Sequence, residues 1–370
     1  MNELNDTVDL EYMRMALALA ARATMATSPN PKVGCVIVKQ GKVVGQGWTQ
    51  AVGQAHAEVM ALRDAAQQGH DVVGATAYVT LEPCSHFGRT PPCANALIEA
   101  KLTRVVAAIE DANPKVAGRG LAMLQAAGIQ VQCGLLAKEA REINIGFFKR
   151  METGKPWVRL KVAASIDGYT ALANGQSQWI TGAQARQDGH VWRARADAIL
   201  TGIGTVEADD PMMTVRGVEA AHQPRKIVVD SQLRISPLAK IFGDDGILLV
   251  CANQDTNKDA VLQAKGAEII RLPNGNGNGN GKVDLHALML ECGRREINEL
   301  HIEAGAQLNG ALIAANCVDE ILVYLAPKLL GNGAGLFALP ELTLLDQAPQ
   351  FIFHDVQTIG DDVRLILRMK

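Results

Sequence analysis

Four side chains in the stretch Gln54 to Cys93 are of types that can do chemistry together: His56, Glu58, Cys84 and Cys93. One imidazole, two thiols and a carboxylate two residues from the imidazole are the parts needed to hold Zn²⁺ and run a hydrolysis on it. Zinc in a catalytic site takes three protein ligands and keeps its fourth position for water. One neutral imidazole and two thiolates leave the site near zero net charge, so a bound water ionises near neutral pH. Glu58 then stands free to carry a proton.

Spacing sharpens this reading. A lone His-x-Glu is weak evidence, because a histidine beside a glutamate in a first helical turn is more often a solvated helix end. A strand that ends in Pro83-Cys84 and a second loop cysteine that opens a helix make the set far more specific. Zinc nucleobase deaminases use His/Cys/Cys ligation with a non-ligand Glu, under the signature H-x-E…P-C-x-x-C. Here Cys93 lies nine positions after Cys84, not three. His86, on the same loop, competes as a ligand, and a four-ligand structural site using it would close the water position. The open site is preferred because Glu58 otherwise has no task. The insertion from Ser85 to Pro92 is expected to wall the pocket, with Arg89 gripping a substrate phosphate unless it is a plain surface arginine. Asn30 is a candidate to bond a ring or ribose, or else a helix stop.

The elements that must position these groups read as α/β throughout. A chain of 370 residues exceeds the size at which a single core keeps growing, so two domains are expected. Helices are read from Asp9, as N-cap, to about Thr24, from His56 to Gln68, at Ala94–Ala100, at Leu121–Ala127 and at Lys138–Met151. Strands are read at Val33–Val38, Val43–Trp48, Ala77–Leu81, Val105–Glu110 and Ile129–Cys133. Such alternation implies a mixed or parallel sheet with helices on its faces. Thr153-Gly154-Lys155-Pro156 marks the boundary, giving domains 1–152 and 153–370.

In the second half, strands are expected at Trp157–Ala164, Ala198–Thr201, Lys226–Asp230, Ile247–Cys251, Glu299–Glu303, Glu320–Ala326 and Val363–Arg368. Helices are expected at Ala183–Ala194, at Leu285–Cys292 and from Leu308. Two Gly-rich strand-to-helix turns, Gly202-Ile-Gly204-Thr205 and Glu303-Ala-Gly305, present backbone N–H groups suited to phosphate, although neither is a G-x-G-x-x-G fingerprint. Arg193 and Arg216 could clamp a phosphate. The strict Asn-Gly alternation from Asn274 to Gly281 reads as a flexible surface loop without function.

Composition narrows the class. Hydrophobic content of 48%, a charged fraction of 20% and a net charge of −3 fit a soluble globular protein without a broad nucleic-acid surface. No apolar run approaches the roughly 20 residues that span a bilayer. The acidic N-terminal segment lacks the pattern of a secretion signal, so a cytoplasmic location is expected. Seven scattered cysteines do not form a disulfide framework. Cys35, Cys133, Cys251, Cys292 and Cys317 sit in or beside apolar runs and read as small buried hydrophobes.

The run Pro29-Asn-Pro-Lys-Val-Gly-Cys35, His56-Ala-Glu58 and Glu82-Pro-Cys-Ser-His-Phe-Gly-Arg-Thr-Pro-Pro-Cys93 closely resembles the pyrimidine deaminases of riboflavin biosynthesis, whose long inter-cysteine loop is specific to them. The resemblance extends along the chain, since bifunctional members carry a reductase behind the deaminase. Ser165-Ile-Asp-Gly168, Gly175-Gln-Ser177-Gln-Trp179, Gly204-Thr205…Asp209 and Glu303-Ala-Gly305 look like the reductase motifs. The resemblance implies a cytidine-deaminase-like domain followed by a dihydrofolate-reductase-like domain that uses NADPH. It implies cofactor contacts from Ala163, Trp179, Thr205, Asp209, Ser231 and the turn Gly305, Ala306, Gln307, Leu308, Asn309, Gly310 and Ala311. It places Ser177, Arg193, Met213, Arg216 and Glu303 in the substrate site. Ala304 departs from the Gly-Gly of many relatives. Lys161 is a candidate to polarise the substrate, and no general acid stands out.

The implied reactions are hydrolytic deamination of 2,5-diamino-6-ribosylamino-pyrimidinone 5′-phosphate and NADPH-dependent reduction of the product's ribosyl group to ribityl. The partners implied are small phosphorylated pyrimidines, with neither nucleic acid nor membrane, and a homo-oligomer through the reductase domain is left open. Two rivals stand beside this reading. One is a tRNA-type deaminase with a C-terminal binding domain, which the acidic balance and few aromatics disfavour. The other is a zinc-stabilised scaffold without activity.

Overall fold

Alternate residues of the strand Gly34–Lys39 (β1) serve two different cores. Cys35 and Ile37 pack with Ala57, Ala61, Leu97 and Leu124, while Val36 and Val38 pack with Met13, Ala16 and Leu17. A period of two on a sheet covered on both sides requires such a run of buried residues. The computed structural model describes residues 3–85, 91–243, 245–275 and 281–370. His86, Arg89 and residues 276–280 of the Asn-Gly tract lie outside the described residues. The chain divides into two compact units, Met1–Gly154 and Lys155–Lys370.

The first unit runs α1 (Glu3–Ala21), β1, β2 (Lys42–Trp48), α2 (Ala57–Gln67), β3 (Thr76–Val79), α3 (Cys93–Glu99), β4 (Arg104–Ala107), α4 (Arg119–Ala126), β5 (Gln130–Cys133), α5 (Ala137–Ile143) and α6 (Ile145–Thr153). Its sheet has the order β2-β1-β3-β4-β5, antiparallel at β1–β2 and β1–β3 and parallel from β3 to β5. Helix α2 lies directly on β2 because Gly45 and Gly47 have no side chain in the way. A Cβ on Gly47 would stand 2.5 Å from the Met60 Cβ and 2.8 Å from the Ala57 carbonyl.

Three expectations need correction here. Helix α1 begins at Glu3, so Asp9 is not an N-cap. It is instead buried mid-helix, accepting from Arg104 Nη1 at 2.9 Å and Nη2 at 2.5 Å and from the Tyr78 hydroxyl at 2.5 Å. The single helix expected over Lys138–Met151 breaks at Asn144 into α5 and α6. The Asn144 side chain there accepts from Lys32 N at 2.7 Å and donates to Lys32 O at 2.8 Å, which anchors the loop that carries Asn30. Cys133 is exposed rather than buried, since it ends an edge strand.

The second unit runs β6 (Trp157–Ser165), β7 (Tyr169–Leu172), α7 (Ala183–Ala194), β8 (Ala198–Gly202), α8 (Ile203–Asp209), β9 (Arg225–Val229), β10 (Ile247–Cys251), α9 (Asp259–Gln263), β11 (Ala267–Arg271), α10 (Leu285–Arg294), β12 (Glu299–Ile302), α11 (Ala306–Ala314), β13 (Glu320–Ala326), β14 (Gly333–Gly335), β15 (Phe351–Ile359) and β16 (Asp362–Met369). Nine strands form one sheet in the order β11-β10-β9-β8-β12-β6-β13-β16-β15, and β7 pairs separately with β14. Every pairing from β11 to β13 is parallel, and β16 and β15 add antiparallel strands at one edge. Arg159, near the start of β6, is buried and bonds Glu299 of β12 at 3.0 Å and Glu320 of β13 at 2.5 Å, tying three neighbouring strands together. The helix expected from Leu308 starts at Ala306, with Gly305 as its N-cap.

Candidate functional sites of the two units

In the first unit, His56 is the N-cap of α2, Cys84 follows the exit of β3, and Cys93 is the first residue of α3. Three elements thereby deliver one donor each. The His56 Nδ1 lies 3.7 Å from the Cys84 Sγ and 3.4 Å from the Cys93 Sγ. A tetrahedral ion with Zn–S near 2.3 Å and Zn–N near 2.0–2.1 Å places such donors about 3.5 Å apart. The three donors lie within 4.8 Å of one another and form the group able to hold a metal ion among the described residues. Donor identity and separation both fit zinc.

Glu58, in the first turn of α2, is buried at 3% exposure on the same side as the triad. Burial, reinforced by the charge on Cys84, pushes its carboxyl up to about 7. The two thiols are unequal. Cys84 is drawn down to about 4, first by the Cys93 thiol bonded to it and then by His56, and Cys93 is correspondingly raised. Both thiols must give up their protons to ligate a metal, so metal binding releases protons.

The second unit gathers a different set. Glu303, one residue beyond β12, is gripped by Arg193 of α7 through Nε at 2.5 Å and Nη2 at 2.9 Å, and Lys161 Nζ of β6 lies 3.9 Å away. Burial raises the Glu303 carboxyl, but Arg193 and Lys161 outweigh it and hold the group well below the usual range. Arg193 also donates to the Thr214 carbonyl at 2.9 Å. The carboxyl ends of β9, β8 and β12 stand side by side, with Ser231, Thr205 and Gly305 just beyond them and Ala163 in the adjoining β6. A Cβ on Gly305 would stand 3.9 Å from Thr205 Oγ1, so the two turns meet. Ligands of parallel α/β sheets bind in this position, outside the carboxyl ends of the strands. The buried Thr201 Oγ1, Asp230 Oδ1 and Asn309 Oδ1, on β8, after β9 and in α11, have no hydrogen-bond partner among the described residues. The open helix starts at the strand ends suit a phosphate, while the unmet Asp230 and Asn309 oxygens, which only accept, suit a hydroxyl or amide donor of a bound cofactor.

Residues 156–365, more than half of the chain, match the RibD C-terminal domain family, and residues 6–109 match the cytidine and deoxycytidylate deaminase zinc-binding region. The riboflavin biosynthesis protein RibD of Escherichia coli (strain K12) is 49% identical over 372 residues, covering 97% of this chain and 99% of that relative. The chain belongs to the RibD family. RibD of Aquifex aeolicus (strain VF5) is 37% identical over 362 residues, covering 98% of each. Among solved structures, Acinetobacter baumannii RibD superposes with a TM-score of 0.90 at 40% identity, covering 99% of both chains. The Thermotoga maritima diaminohydroxyphosphoribosylaminopyrimidine deaminase/5-amino-6-(5-phosphoribosylamino)uracil reductase gives 0.87 at 27% identity, covering 99% of this chain and 100% of that one. This chain is a bifunctional riboflavin-biosynthesis enzyme, a deaminase fused to a reductase.

Within that RibD frame, the residues read from the sequence fall into several groups. Ala163, Thr205, Ser231 and Gly305 share the strand-end region, and Ala306 to Ala311 are helical rather than a turn, with Asn309 and Gly310 buried and Gln307 and Ala311 exposed. Asp209 is exposed at the far end of α8. Trp179 is 64% exposed, with the Arg186 guanidinium 4.5 Å from its ring centroid. Ser177 is half-buried on the same loop, Arg216 is exposed, and the Met213 side chain packs with Ile199, Val206 and Val228. Two histidines near Glu303 were not singled out from the sequence. His301 is fully buried with Nε2 3.3 Å from Glu303 Oε1, and His190 Nδ1 accepts from Arg216 N at 3.2 Å. The i, i+2 spacing of His301 and Glu303 was the available signal for the first; nothing local marks the second.

Proposed function

We propose that His56, Cys84 and Cys93 hold Zn²⁺ and that Glu58 is the proton carrier of a hydrolytic deamination of 2,5-diamino-6-ribosylamino-pyrimidinone 5′-phosphate. The observation that carries this reading is the buried Glu58 beside three donors spaced for one tetrahedral ion. When bound, zinc supplies the Lewis acidity that makes a water nucleophilic near neutral pH. Glu58 takes the proton that this water sheds and delivers it to the departing amino group, so the ring gains oxygen and ammonia leaves. Burial serves the step by keeping competing water away from Glu58.

In the second unit, NADPH is the proposed cofactor and supplies the hydride that turns the ribosyl group into ribityl. Ser231, Thr205 and the start of α11 at Gly305 receive it, their backbone N–H groups suited to its phosphates. The Glu303–Arg193 pair, with Lys161 beside it, orients the substrate. Because Glu303 occupies the Arg193 fork, the exposed Arg216 is the arginine available to the substrate phosphate.

The substrates are small phosphorylated pyrimidines and not nucleic acid, and the location is cytoplasmic. No described helix is long and apolar enough to cross a membrane. A homo-oligomer through the second unit is supported by the end strand β15, which exposes Ile352, Phe353 and Val356. The test of function is a two-step assay with the zinc-loaded full chain and the diamino substrate. Ammonia release followed by NADPH consumption is expected; zinc-loaded protein that releases no ammonia would overturn the reading.

A further inference from the structure

Glu82 reads from the sequence as the end of a strand, and the deamination chemistry does not use it. It is 3% exposed, and no cation pairs with it among the described residues. Four backbone N–H groups donate to it instead. Asp111 and Gly118 bond Oε2 at 3.1 and 2.9 Å, and Gly120 and Leu121 bond Oε1 at 2.8 and 3.3 Å. A carboxylate offers about four acceptor positions, so the group is saturated. Gly120 and Leu121 lie in the first turn of α4, whose N–H groups have no partner within the helix.

The main chain around Glu82 is held as firmly. Its N–H donates to the Ile109 carbonyl at 2.9 Å, which continues the pairing of β3 with β4 past their ends. Pro83 follows with a fixed φ, and its carbonyl rests against Gly120, where a Cβ would lie only 1.8 Å away. Cys84 comes next. On its other side, its carbonyl accepts from Ala94 N at 3.2 Å and its sulfur accepts from Cys93 N at 3.2 Å. The sulfur is therefore located by two anchors, α3 directly and α4 through Glu82.

We infer that Glu82 is a positioning residue of the metal centre: by docking the exit of β3 onto α4, it sets where the Cys84 sulfur stands relative to His56 and Cys93. The inference rests on the zinc reading above. A carboxylate that merely caps α4 would affect stability alone, whereas a positioning residue also governs metal retention. Glutamine at this site keeps one acceptor oxygen and turns an amide donor toward two N–H groups. Loss of an outer partner of a metal ligand costs on the order of 10–100-fold in affinity or activity.

The experiment uses the zinc-loaded full-length chain, Glu82→Gln and Gly120→Ala. It measures zinc content, the rate of zinc transfer to a chromophoric chelator, deaminase turnover per bound zinc, and reductase activity as an internal control. Glu82→Gln is expected to release zinc about 10–100-fold faster and to turn over more slowly per bound zinc, with reductase activity unchanged. Gly120→Ala presses on the Pro83 carbonyl while leaving the carboxylate in place, so it tests the same contact if Glu82→Gln does not fold; faster zinc release is expected again. Wild-type zinc release and per-zinc turnover in either folded variant would overturn the inference. A wild-type chain that binds no zinc would overturn the metal reading instead, so the two failures are distinguishable.

Discussion

The backbone N–H of Cys93 donates to the Cys84 sulfur across 3.2 Å, so the main chain of one proposed metal donor favours the ionised form of the other. A hydrogen bond to an ionised sulfur is of the stronger, charge-assisted kind. The unusual spacing of the two cysteines is therefore compatible with a compact site, because α3 begins where the second sulfur is needed.

Replacing Glu58 separates catalysis from metal binding. Glu58→Gln keeps the size and removes the proton carrier, so deamination is expected to fall by about 10²–10⁴-fold. Zinc content and NADPH-dependent reduction of the deaminated substrate are expected to stay at wild-type levels. Ammonia release, metal analysis and NADPH consumption on one preparation check this. Loss of zinc from the variant would make Glu58 a structural residue.

The buried Asp9 gives the first unit a predictable acid response. Its bonds to Arg104, opposed by burial and helped by Tyr78, hold its carboxyl below the ordinary value of 3.8. A depressed folded-state pKa stabilises the fold above the unfolded value and loses that contribution as pH falls through the folded one. Asp9→Asn is expected to cost about 1–3 kcal/mol near neutral pH. The gap from wild type should begin to shrink near pH 4, where the carboxyl of the unfolded chain takes up a proton, and close as pH falls through the lower folded value. Urea unfolding of both chains across this range measures it, and a gap independent of pH would refute the assignment.

Glu303 offers the matching test in the second unit. Glu303→Gln leaves the Arg193 guanidinium largely buried without its counter-charge, which costs on the order of 3 kcal/mol. Reduction should be lost while deamination persists at the wild-type rate. Wild-type kcat/KM for reduction in the folded variant would remove Glu303 and Arg193 from the substrate site.

That His56, Cys84 and Cys93 come together beside Glu58 was legible in the sequence, because a site of this kind needs fixed residue types at element ends, and Pro83-Cys84 and His56-Ala-Glu58 mark two of those ends. In the first unit the order of strands and helices was legible from hydrophobic runs such as Val105–Glu110, whereas the short second-unit elements β7, α8, α9, β11 and β14 were not read. What escaped was set by contacts distant in sequence. Asp9 looked like a cap because its partner Arg104 is 95 residues away. Asn144 looked helical because its bonds to Lys32 span 112 residues. Strand β15 was missed since Ile352, Phe353 and Val356 face outward and give no inward alternation. Glu82 was passed over because four of its partners are backbone groups, which no side-chain pattern reveals.

The most direct test of the account is zinc titration of metal-stripped, refolded full-length chain, with ammonia release from the diamino substrate as the readout. Deamination should rise in proportion to bound zinc and level off at one ion per chain, while reduction of already deaminated substrate stays constant throughout. Full deamination by protein that carries no metal would contradict it.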